Sequence, residues 1–203
     1  MFKKLLLATT LIAFTGLALS QDVPPDELVR KSTTEVLAML KADKDLAAGD
    51  PAKVDKLASE KILPYFNFQR MTQLAVGRAW REASDQQKTA LVEEFRKLLV
   101  RTYSSSLSQF RNQTIEVRPL KLAATDTEVV VKTTIAQSGA TGIPIDYSME
   151  KAKDGWKVFD VLIDGVSLVT NYRSSFATEI KNTGIDGLIK SLSDRNAKNA
   201  ARK

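Results

Sequence analysis

Apolar and polar residues along the chain follow two different periods, and the change from one to the other divides it. Up to about residue 110 the spacing is helical. Leu28, Val29, Val36, Leu37 and Leu40 form one stripe after Pro24-Pro25, a pair suited to a helix's first turn, and the polar stretch from Asp43 to Gly49 ends it. Asp50-Pro51 predicts a capped second helix with Val54, Leu57, Ile62 and Leu63 on one side, interrupted by Pro64. A short stretch carrying Met71, Leu74, Ala75, Val76 and Trp80 follows Tyr65, Phe66 and Phe68. Ser84 and Gln87 then form a capping box. It opens the longest helix, with Leu91, Phe95, Leu98, Leu99, Thr102, Leu107 and Phe110 inward and Glu93, Glu94, Arg96 and Lys97 in water.

After Asn112 the period becomes two. Ile115 and Val117 alternate with Glu116 and Arg118; Val129, Val131, Thr133 and Ile135 share a face; so do Ile143, Ile145, Tyr147 and Met149 after the turn at 138–142. Asp154-Gly155 is a hairpin signal leading into Trp156–Ile163, where Trp156, Val158, Phe159, Val161, Leu162 and Ile163 form an apolar run that predicts a strand buried on both faces and is interrupted by Asp160. Beyond Asp164-Gly165 the helical period returns through Val166, Val169, Phe176 and Ile180. It breaks at Asn182-Thr183-Gly184 and resumes with Ile185, Leu188, Ile189 and Leu192; the polar tail after Ser193 is expected to fray. Helices, then strands, then helices predict an α+β domain with a four-stranded antiparallel meander. Its helical half spans 24–110, its sheet 113–163 and its C-terminal helices 166–198.

The first twenty residues read as a secretory signal peptide: Lys3 and Lys4, an apolar run, then Ala18-Leu19-Ser20. The mature protein is expected to start near Gln21 and to be exported. Residues 21–203 are enough for one domain with its own core. Without Lys3 and Lys4 the formal charge falls from +6 to +4, with both signs interspersed, which does not suit nucleic acid. The chain has no Cys, hence no disulfide or thiolate metal site, and no His, which removes the usual general base and the commonest metal ligand.

The segment from Tyr65 to Leu107, YFNFQRMTQLAVGRAWREASDQQKTALVEEFRKLLVRTYSSSL, is followed from Asp146 by DYSMEKAKDGWKVFDVLIDGVSLVTNYRSSFATEIKNTGIDGLIKSL. This order resembles the MlaC family, periplasmic phospholipid-binding proteins also called toluene-tolerance or auxiliary ABC-transporter substrate-binding proteins. The marks that carry it are LPYF at Leu63–Phe66, W-K-V-x-D with G-V-S, N-Y-R and Phe176 across 156–176, and I-D-G-L-I at Ile185–Ile189. The resemblance implies a cystatin/NTF2-like fold, helices over a curved antiparallel sheet with acyl chains between. It implies a periplasmic shuttle that moves glycerophospholipid between an outer-membrane lipoprotein–porin complex (MlaA-like) and an inner-membrane ABC transporter with an MCE-domain subunit (MlaD-like), preserving outer-membrane lipid asymmetry and solvent tolerance. It implies a monomer, no enzyme activity, and no cofactor or metal beyond the phospholipid cargo.

The family supplies no short binding motif, so the expected lipid-binding residues rest on periodicity. They are Tyr65, Phe66, Met71, Leu74 and Ala75; Phe95, Leu99 and Tyr103; Val129, Val131, Ile145, Tyr147, Met149 and Val161; and Val166, Val169 and Phe176. On this reading Trp at Val131 or Val166 lowers lipid occupancy. Asp160, a carboxylate inside an apolar strand, needs donors: Arg173, Arg78 or backbone N–H groups. A carrier for another apolar ligand is a second reading, and a small NTF2-like enzyme using Asp146, Tyr147 and Asp160 a third. Arg70, Arg78 and Arg81 are candidates for docking or head-group contact.

Overall fold

The structure, a computed structural model, describes residues 23–107, 113–136 and 141–201. The signal-peptide reading, Phe110 and most of the 138–142 turn therefore lie outside the described residues, as do the side chains of residues 104–107. The helices are α1 (Pro25–Ala42), α2 (Lys44–Ala48), α3 (Pro51–Leu57), α4 (Phe68–Val76), α5 (Asp85–Leu107) and α6 (Leu168–Ala201). A π turn (Ala58–Ile62) and a 3-10 turn (Leu63–Tyr65) lead from α3 towards α4. The strands are β1 (Thr114–Val117), β2 (Glu128–Ala136), β3 (Ile143–Ala152), β4 (Gly155–Ile163) and β5 (Val166–Ser167), in one antiparallel sheet of sequential order.

Local chemistry explains the boundaries. Asp50 caps α3 through the Lys53 N–H at 2.9 Å, and the Ser84 box closes both ways, Gln87 N–H to Ser84 Oγ at 3.2 Å and Ser84 N–H to Gln87 Oε1 at 2.9 Å. The expected break at Asn182–Gly184 is present: Gly184 has φ 75° and kinks α6. Four expectations change. Residues 43–49 are a helix in their own right, because Asp43 accepts from the Asp45 and Leu46 N–H groups and Leu46 is buried. The sheet has five strands, not four. Asp164 and Gly165 both have positive φ (51° and 78°), the geometry of a two-residue hairpin, so Val166 and Ser167 fold back on β4 as a strand. Helix α6 therefore starts at Leu168, with Ser167 Oγ accepting the Thr170 N–H. Finally, the polar tail stays helical, because Asn196 is buried against α5 and donates to the Glu94 carbonyl (2.9 Å) and carboxylate (2.8 Å). Glu94, expected in water, is held there and by Lys97.

Among the described residues the core falls into three clusters. Helices α4, α5 and α6 close around Phe95, Phe176, Leu91, Leu188 and Leu192. The inner sheet face gathers Val117, Val131, Met149, Trp156, Val158 and Val161 with Val29 of α1. A smaller cluster joins α1 to α2 and α3 through Val36, Leu40, Leu46, Val54 and Leu57. Strand β4 carries a bulge: Met149 pairs with Val158 and Ser148 with Asp160, leaving Phe159 as the extra residue. That one insertion is why Val158 and Val161, three positions apart, both belong to the inner face.

Candidate functional site

Between the sheet-face cluster and the helices lies a cavity of about 610 Å³, within the size range of small-molecule binding sites. Helix α1 forms one wall with Leu28, Val29, Ser32, Thr33, Val36, Leu37 and Leu40, a spacing that keeps one face turned inward. The turns after α3 add Ala58, Lys61, Ile62, Leu63, Tyr65 and Phe66, and α4 adds Phe68 and Met71. Leu99, Val100 and Tyr103 of α5 close one side. The floor is the inner sheet face: Ile115, Ile135, Ile143, Ile145, Tyr147, Met149, Val158, Val161 and Ile163, with Leu168 at the start of α6. In register, Tyr147 lies between Val131 and Val161, and Ile145 between Thr133 and Ile163, so alternate residues of three strands rise on one side.

Ties across the walls hold this space open. The Asn67 N–H donates to the Val158 carbonyl (2.8 Å), extending the sheet by one bridge at Phe66, and Lys157 Nζ donates to the Pro64 carbonyl (2.8 Å). Arg70 lies 3.7 Å from the Phe159 ring centroid, pairs with Glu128 at 2.7 Å and also pairs with Glu150, whose other oxygen accepts from Asn67. Helix α1 is fastened to the β1 side by Arg30 on the Val117 carbonyl (3.0 Å) and by the Leu120 N–H on Asp26 (3.2 Å). Asp160 accepts from the Val161 N–H (2.8 Å), the Ser167 hydroxyl (2.5 Å) and the Val169 N–H (3.2 Å), joining β4, β5 and α6. Its donors are thus backbone groups and a serine, not Arg173 or Arg78.

The cavity's polar side chains are few, and two of them are answered inside the protein. The Thr33 hydroxyl donates to the Val29 carbonyl (2.6 Å), and Lys61 pairs with Glu35 (2.6 Å), which holds the Glu35 carboxyl below the usual range. Ser32 Oγ is buried with no hydrogen-bond partner among the described residues. Burial, with Tyr172 alongside, pushes the Tyr103 phenol up. Tyr147 is partly buried and lines the cavity; burial alone pushes its phenol up to about 12.

Of the seventeen residues expected from periodicity, Tyr65, Phe66, Met71, Leu99, Tyr103, Ile145, Tyr147, Met149 and Val161 line this cavity. The others do not. Phe95, Val169 and Phe176 belong to the closed helical core, as does Ala75. Val131 is fully buried and Val129 partly so within the sheet-face cluster. Leu74 lies on the outer side of α4 and Val166, in the hairpin, is 58% exposed. Nor do Asp146, Tyr147 and Asp160 assemble into a catalytic group: only Tyr147 lines the cavity, because its strand neighbour Asp146 points to the other face. Arg70 is consumed by its ion pairs, while Arg78 and Arg81 are exposed and do not line the cavity. What periodicity missed is chiefly the α1 wall. Its stripe was visible, but nothing in the stripe distinguishes a wall from filled core. Ile135 and Ile143 were already on the inner faces and needed only to be carried over.

The family model described as MlaC protein matches residues 30–194. The Toluene tolerance protein ttg2D of Pseudomonas putida is 26% identical over 181 residues, 89% of this chain and 83% of that one. The intermembrane phospholipid transport system binding protein MlaC of Haemophilus influenzae is 23% identical over 186 residues, 90% of this chain and 86% of that one. Among solved structures, a phospholipid-binding protein from Ralstonia solanacearum in complex with a phospholipid aligns with a TM-score of 0.81 and 40% identity, covering 88% of this chain and 99% of that one.

Proposed function

Since this chain belongs to the MlaC family, we propose that it binds phospholipid in the cavity between α1 and the sheet and carries it between membranes. The observation that supports this most is the cavity itself: about 610 Å³ of open space with walls almost wholly aliphatic and aromatic. Each methylene that leaves water for such a site contributes about 0.8 kcal/mol, so acyl chains need depth and dryness more than polar contacts. The 40% identical Ralstonia protein holds a phospholipid, and the Haemophilus relative is named for intermembrane phospholipid transport.

The finer reading is a periplasmic shuttle. After export directed by residues 1–20, the protein takes lipid from an MlaA-like outer-membrane complex and exchanges it with an MlaD-like subunit of an inner-membrane transporter, or the reverse. No described helix is long and apolar enough to cross a membrane, which suits a carrier that visits membranes without residing in one. Arg78 and Arg81, both exposed, offer positive charge for such visits. The protein acts without catalysis and as a monomer, with the nine expected residues that line the cavity, and the α1 face opposite them, as its lipid contacts. The test is purification without detergent, followed by native mass spectrometry and lipid extraction. Phospholipid at about one molecule per chain is expected; protein that is reproducibly empty and takes none from vesicles overturns the reading.

A further inference from the structure

A polar atom on the wall of a dry cavity is tolerated when a partner answers it, and costs free energy when none does. Thr33 and Lys61 are answered by protein, and Ser32 Oγ, unanswered among the described residues, has no surface open to the cavity. Tyr103 stands beside Tyr172 at the edge of the helical core. Tyr147 differs from all of these. It rises from the middle of β3, the third of five strands, with Ile145, Met149 and Val161 around it. Its hydroxyl makes no hydrogen bond to any described residue, and burial is the only influence on its acidity. A phenol both donates and accepts, so a ligand that presents only hydrocarbon there leaves both capacities unused.

Below its head group, a diacyl glycerophospholipid carries polar atoms only at its two ester links. We propose that the Tyr147 hydroxyl donates to an ester carbonyl of the bound lipid, so that the cavity prefers ester-linked phospholipids over ether-linked ones of the same chain length. This rests on the phospholipid reading above. An ether replaces the carbonyl by a methylene and keeps only the chain-linking oxygen, so the hydroxyl loses the acceptor at the carbonyl position. The preference is thus a difference between two lipids of nearly equal apolar surface, set by one donor.

The experiment offers delipidated full-chain protein an equimolar mixture of dipalmitoyl phosphatidylglycerol and its di-O-hexadecyl counterpart, and reads the bound ratio by native mass spectrometry. Wild type is expected to favour the ester about fivefold, equivalent to ~1 kcal/mol, one net hydrogen bond. Tyr147→Phe is expected to bring the ratio close to one, and Tyr103→Phe to leave the preference intact. The empty Tyr147→Phe protein is expected to melt no lower than wild type, because the hydroxyl has no partner among the described residues. An unchanged ratio in Tyr147→Phe, or an equal loss in Tyr103→Phe, overturns the assignment. Binding both lipids without discrimination overturns it alone, whereas binding neither defeats the carrier reading as well.

Discussion

Around Phe95 the apolar side chains of α4, α5 and α6 close on one another, whereas between α1 and the sheet a similar set encloses about 610 Å³ of open space. The two regions share a residue vocabulary and differ in what stands between their walls. In the helical half, α5 and α6 approach directly, and Phe95, Tyr172 and Phe176 pack with ring centroids 5.1 to 5.5 Å apart, two of the three pairs edge-to-face. In the sheet half, polar ties at the rim set the distance between the walls: Asn67 and Lys157 reaching across between β4 and the 64–67 segment, Arg70 on its carboxylates, Arg30 and Asp26 at the β1 side. A carrier's cavity is therefore made by its rim as much as by its lining.

The largest expected effect is in the closed half. Phe95→Ala removes a fully buried ring from an edge-to-face group and is expected to cost about 3–5 kcal/mol in denaturant unfolding. Ile145→Ala, on the open floor, is expected to cost about 1 kcal/mol, because part of what it loses was contact with empty space. Equal costs would mean that the two regions are equally filled.

Next is the junction at Asp160. Asp160→Ala strands the Val161 and Val169 N–H groups and the Ser167 hydroxyl, an expected loss of about 2–3 kcal/mol, with Asp160→Asn recovering part of it. If Asn is no better than Ala, the Asp160 side chain does not join β4, β5 and α6 through these bonds.

Alkaline titration sharpens the contrast on the open side. The Tyr147 phenol is raised by burial from 10.0 to about 12, so the folded protein holds this proton where the unfolded chain releases it. The resulting stability is fully present below pH 10 and is lost as pH rises through 12. With allowance for solvent in the cavity, that is about 1–2 kcal/mol of the alkaline decline, read as the difference between wild type and Tyr147→Phe unfolding over pH 9–12. Smallest is the cap of α5: Ser84→Ala is expected to cost about 1 kcal/mol without touching lipid retention.

Features decided within a few residues were legible in the sequence. The Ser84–Gln87 box, the Asp50 cap and the Gly184 break depend on local spacing and backbone freedom, and each stands where that spacing puts it. Asp160 was half legible. A carboxylate in an apolar strand demands donors, but Ser167 and Val169 reach it only because the Asp164-Gly165 hairpin turns the chain back. The same hairpin displaced Val166 from the helix and from the expected lining. The cavity was the least legible feature. A stripe such as Leu28 to Leu40 states which face turns inward, not whether anything fills the space it faces. Asn196 shows the converse, since a polar tail gave no sign that one amide would be buried against Glu94.

If phospholipid resides in the open space between α1 and the sheet, filling that space must expel it. Ile145→Trp places an indole over the floor, while Val166→Trp places one on the exposed hairpin. Lipid bound after detergent-free purification is expected to fall at least tenfold in Ile145→Trp, with the cooperative unfolding transition retained, and to match wild type in Val166→Trp. Full occupancy in a folded Ile145→Trp protein, or loss of lipid in Val166→Trp, would contradict it.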